Sequence, residues 1–244
     1  MTAAAGGPLV INPFKSKDRA SLVALIAANL VPLGGVIFAG WDAGMIVLLY
    51  WVENLILGFY NVLKMALVPM PRPLFHLGKL FIIPFFCLHY GGFCGGHGFF
   101  ILALFGLGDP AAVMKGVHSP GPLVFMDILI GVVTQLLAAM PSGLLWPIAA
   151  LFVSHGVSFV QNYLLGREYA SFTLKRQMDA PYRRIVILHV AIIAGMVPVL
   201  LLQSPLPLLV AIVLLKTWMD VHLHVRSHRR KTGEETPPEE DGTA

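Results

Sequence analysis

Long apolar runs separated by very short polar links dominate the chain. They fall at residues 20–39, 43–67, 122–139, 144–165, 185–202 and 206–221, and most approach the ~20 residues that a helix needs to cross a hydrocarbon core. The links Gly40-Trp41-Asp42, Met140-Pro141-Ser142-Gly143 and Gln203-Ser204-Pro205 are so short that the helices they join must be antiparallel neighbours. The pattern predicts an all-α, polytopic transmembrane helical bundle with six spanning helices.

A seventh apolar stretch, residues 77–107, differs from the others. Its arms, 80–90 and 99–107, flank the run HYGGFCGGHG, and each arm is about 15 Å long as a helix, half a bilayer. Gly91-Gly92 and Gly95-Gly96 supply a permissive turn between them. The expectation is a glycine-broken re-entrant hairpin that dips in and returns. A seventh continuous helix, using the glycines as small-xxx-small packing faces, is the competing reading.

Composition sharpens the class. Of 244 residues, 57% are hydrophobic and only 12% charged, against roughly 25% charged in soluble domains. The 17 lysines and arginines cluster before residue 20, at Lys64, Arg72 and Lys79, between residues 166 and 184, and at 226–231, with Lys115 and Lys216 single; none lies in a tight link. That placement sets topology and does not indicate nucleic acid. By the positive-inside rule both termini face the cytoplasm, and a hairpin at 77–107 keeps the basic segments on that side. Residues 1–19 read as a cytoplasmic segment, 20–224 as the membrane domain and 225–244 as a disordered charged tail. Residues 1–14 have no cleavable-signal pattern. Cys87 and Cys94 read as apolar filler and not as a disulfide.

Polar groups inside apolar runs are the candidates for chemistry, because each is costly there unless satisfied. Glu53 lies mid-run, with Asn54 and Asn61 seven apart on one face, and either works there or pairs with Lys216. His89 and His97 flank the glycine run, where their imidazoles can converge on one transition metal. His155, Ser158 and Asn162 share a face at i, i+3 and i+7. Lys216, Asp220, His224 and His228 form a stripe at spacings of four, with His222 off it; Asp and His at i, i+4 can ligate one metal. His189 sits one turn inside the inner surface, and His76 and His118 read as solvated loop residues.

Together these positions resemble a family of bacterial integral-membrane proteins of unknown function. The likeness rests on Tyr50-Trp51-x-Glu53-Asn54 with Gly58, Asn61 and Lys64, and on His89-Tyr90-Gly91-Gly92-Phe93 with Gly96-His97-Gly98. It continues through Ser154-His155-x-x-Ser158, Asn162-Tyr163, Glu168-Tyr169, Pro181-Tyr182 with Arg184 and His189, and Leu215-Lys216-Thr217 with Asp220 and His224. It implies a membrane fold and lends no reaction.

The leading expectation is an intramembrane metal-dependent enzyme acting on a lipid or another membrane-soluble small molecule. Its zinc or iron would be drawn to His89, His97, His155, Asp220 and His224, with Glu53 as general base. Asn54, Asn61, Asn162, His189 and Lys216 would support them. The second class is a small transporter or channel using the same groups as a proton or ion relay. A bis-histidine haem protein and a purely structural membrane protein complete the set.

Overall fold

In the computed structural model, which describes residues 16–231, the chain is helical throughout, with no strand among the described residues. The first helix, α1 (Ser16–Ala39), is followed by α2 (Ala43–Leu67), whose N-terminus is capped by Asp42 through its carboxylate on the Met45 amide. Next is α3 (His76–Phe105), closed by Gly106 in the left-handed conformation. A short α4 (Pro110–Lys115) and then α5 (Val124–Ala139) precede α6 (Leu145–Ser158), which runs on as a π-helical segment, Phe159–Leu165. The remainder is α7 (Leu174–Asp179), α8 (Tyr182–Leu202) and α9 (Leu206–Lys231). The expectations for residues 1–15 and 232–244 lie outside the described residues.

Five stretches are long and apolar enough to span a membrane: Ala43–Leu67, His76–Phe105, Gly121–Ala139, Ser142–Leu165 and Leu174–Leu202. Their outer surfaces carry large apolar side chains such as Phe81, Trp146, Leu165 and Leu201 largely in the open. In water such a surface would be prohibitive; in lipid it is the expected exterior. The protein is an integral membrane protein.

The glycine-rich stretch is not a hairpin. α3 is one continuous helix of 30 residues, about 45 Å long, so it crosses with length to spare. Its glycines are packing surfaces. A Cβ at Gly98 would lie 2.6 Å from the Trp51 ring of α2, and one at Gly95 would lie 3.1 Å from the Leu129 backbone of α5. Gly96 faces open space. Helix contacts in a membrane depend on close approach, and bare backbone permits it.

The doubling-back occurs later in the chain. Gly91, Gly95 and Gly98 of α3 face Met126, Leu129 and Val132 of α5, in ascending order. The two helices therefore run parallel, and residues 106–123 must return between them. They do so along α5. The Asp109 amide donates to Gln135, Val113 packs on Gly131, and Asp127 accepts from the His118 and Ser119 amides. Because Met126 stands opposite Gly91, the midpoint of α3, the tip of this excursion reaches only half the depth of α3.

Other pairings fix the ends. α2 and α6 run parallel, with Phe152 carbonyl on the Tyr60 hydroxyl and the Tyr163 hydroxyl on the Lys64 carbonyl. Gly195 of α8 meets Leu208 of α9 across their tight link. The links 40–42, 140–144 and 203–205 consequently gather at one end, and the segments 68–75 and 166–181 at the other. Lys79 closes the second end by donating from Nζ to the Ala66 and Val68 carbonyls at 2.7 and 2.6 Å, satisfying the last turn of α2.

Candidate functional site

Glu53 sits midway along α2 on the face toward α6, α8 and α9. Its Oε1 accepts from Arg184 Nη1 at 3.0 Å and lies 3.6 Å from His155 Nε2; its Oε2 accepts from Lys216 Nζ at 3.3 Å. The carboxyl is 13% exposed. Four helices thus meet on one carboxylate. A charge at this depth persists only when paired, and here two cations do so. Lys216 also lies over the Tyr50 ring, 4.5 Å from its centroid, an added cation–π contact.

Beside this cluster is a cavity of about 40 Å³ lined by Tyr50, Glu53, Asn54, Arg184, Lys216 and apolar side chains of α8 and α9. Such a volume admits a few waters or a very small ligand. Asn54 is buried, its Nδ2 donates to the Tyr50 carbonyl at 2.8 Å, and its Oδ1 has no partner.

A second polar contact lies on the α3–α8 seam. His97, 3% exposed, places Nε2 at 2.8 Å from His189 Nδ1, while its own Nδ1 is buried without a partner. About two turns nearer the start of α3, His89 Nδ1 pairs with the Tyr182 hydroxyl at 2.7 Å. His89 and His97 therefore lie on one helix and have different partners; they do not face each other across a turn.

The remaining candidates disperse. Asp220 accepts from Asn29 of α1 at 3.0 Å, and does not pair with Lys216. The side chain of His224 lies outside the described ones. Asn61 accepts from Gln177 of α7 at 2.6 Å, tying α7 to α2. Asn162 is exposed and donates to Ser158 at 3.1 Å. His222 stacks on Trp218 at the surface. Cys87 and Cys94 are free thiols.

Among the described residues no three His, Cys, Asp or Glu side chains converge as a metal site would require. Of the expected pool of Glu53, His89, His97, His155, Asp220 and His224, the five whose side chains are described fall into four separate contacts. Spacing along a helix says which residues share a face, not which neighbouring helix that face meets, and these five meet different neighbours. Arg184 was counted as a loop charge, yet it is the closest partner of Glu53. A mid-membrane carboxylate facing one lysine was the available signal that another cation was needed. Tyr182, Gln177 and Asn29 gave no such signal.

The model of a family of unknown function, DUF6498, matches residues 12–236. The chain belongs to that family. No curated protein and no solved structure matches it. The family match covers every residue of the Glu53 cluster, and it agrees with the expectation of an uncharacterised family.

Proposed function

We propose that this protein is a carrier of small anionic solutes whose movement is coupled to protonation of Glu53. The observation that supports it is the bridge from Glu53 to Arg184 and Lys216 beside the cavity. Arg184 and Lys216 stand on α8 and α9, which form a tight hairpin; Glu53 stands on α2. The carboxylate is therefore a tie between two bodies of the bundle. Arg184 and Lys216 favour the ionised carboxylate, so a proton settles on Glu53 only as an anion takes over the two cations, and it then removes the carboxyl's charge and its hold on both. Arg184 and Lys216 then face the cavity with no counter-charge from Glu53, and a solute anion replaces it. One proton and one anion enter together, so the charge of the buried cluster is unchanged, which avoids the large cost of adding net charge at this depth.

Two cations beside Glu53 repel a metal cation, which disfavours a metal-bound water at this carboxylate. The doubled-back segment 106–123 supports a topology in which the segments 68–75 and 166–181, which carry Arg72, Arg167, Lys175 and Arg176, face the cytoplasm.

The test is proteoliposome flux. With an inward proton gradient, a small-anion panel should show acid-stimulated uptake that Glu53→Gln uncouples from pH. Uptake that is absent for the whole panel, or identical in the variant, refutes the reading.

A further inference from the structure

We infer that the face formed by α4, the loop after it and the start of α5 is the contact surface of a two-fold dimer, whose occupant is a second copy of this chain. The inference rests on the membrane fold and is independent of the carrier reading. α4 runs down α5 with Val113 on Gly131 and the His118 amide on Asp127, so Lys115 lies level with Leu129. Leu129 in turn meets Gly95, and Met126 meets Gly91 at the midpoint of α3. Lys115 and Asp127 therefore both sit near the middle of the bilayer, within about one helical turn, ~5 Å, of each other in depth.

That depth is hostile to what the face displays. Lys115 and His118 are exposed, and residues 117–120 have no helical structure. Asp127 accepts from the His118 and Ser119 amides and the Ser119 hydroxyl. These hold the carboxylate in place, but none is a cation. The ion pairs among the described residues all end on Glu53, so neither Lys115 nor Asp127 is neutralised within the chain. Irregular backbone and bare charge persist at this depth only against protein or water.

The charges favour a second copy. Copies inserted in the same orientation are related by an axis along the membrane normal, which keeps every residue at its own depth. An axis in front of the groove between α4 and α5 sets α4 of each copy against α5 of the other. Lys115 then meets the partner's Asp127 twice, once on each side of the axis. This is the self-complementary pattern that an isologous contact requires. A partner carrying one sign of charge would neutralise one of the two residues and repel the other. Met114 and Ile130, both exposed, supply apolar surface beside the pairs.

Single-molecule photobleaching of the fluorophore-tagged full chain in lipid bilayers, over a range of protein-to-lipid ratios, counts the copies in each particle. The wild type should be dimeric. Lys115→Met and Asp127→Asn each break both pairs, and each should weaken dimerisation at least roughly tenfold. The double variant should be no weaker than either single one. Lys175→Met, on α7, should change nothing. A monomeric wild type overturns the inference, and labelling of Lys115→Cys by an impermeant thiol reagent would then assign the face to a water-filled cavity. A dimer equally strong in both variants also overturns it, by placing the contact elsewhere. Should Asp127→Asn fail to fold, Lys115→Met decides alone, because removing a bare cation from this depth does not threaten the monomer.

Discussion

Glu53 and Arg184 are 131 residues apart in sequence and 3.0 Å apart in the fold. Removing Glu53 leaves both Arg184 and Lys216 without their counter-charge, whereas removing Arg184 leaves Glu53 its Lys216 partner. With Arg184 about a third exposed, each loss should stay below the ~3–5 kcal/mol of a fully buried pair. Arg184→Ala and Glu53→Ala should each lower the unfolding temperature in detergent. The double variant should lose less than the two single losses added. Strict additivity would mean the pair is not coupled.

The glycines of α3 allow a paired comparison. Gly98→Ala forces a methyl to within 2.6 Å of Trp51 and into contact with Val132, and should cost about 1–3 kcal/mol by overpacking. Gly96→Ala meets nothing within 4 Å and should be neutral or up to ~1 kcal/mol stabilising, since alanine is the better helix former. Equal melting temperatures for the two would contradict the packing described for α3.

Lys79 makes a structural contact with no proposed part in transport. Lys79→Met keeps the apolar stem but leaves the Ala66 and Val68 carbonyls without their donor. We expect a loss of about 1–3 kcal/mol with proton-coupled flux retained in the folded fraction. Loss of flux at unchanged stability would move Lys79 into the working site.

The apolar runs made the helices and tight links legible in the sequence, because hydrocarbon imposes a length and excludes unsatisfied backbone. Glu53, with Lys216 as a pairing partner, was legible for the same reason. The broken element was expected at 77–107, where glycines are dense, and the doubling-back lies at 106–123 instead. Glycine density reports backbone that can turn and backbone that neighbours can approach, and only the partners Trp51 and Leu129 distinguish them. The tip at Pro120-Gly121, with Gly121 at positive φ, carried the turn signal that the longer run obscured.

That chain path makes a topological prediction. In a background free of native cysteines, single cysteines at Asp42, Ser142 and Ser204 should react with an impermeant thiol reagent from one side of the membrane. Cysteines at Arg72 and Lys175 should react from the other. Labelling of Arg72 and Ser142 from the same side would refute the parallel course of α3 and α5.

The most direct measurement of the central claim is infrared difference spectroscopy of the protein in lipid as the pH is lowered. A protonated-carboxyl band should grow in the wild type, be absent in Glu53→Gln, and appear over the same pH range in which anion uptake begins. Identical difference spectra for the wild type and Glu53→Gln would show that Glu53 takes up no proton, and would contradict the account.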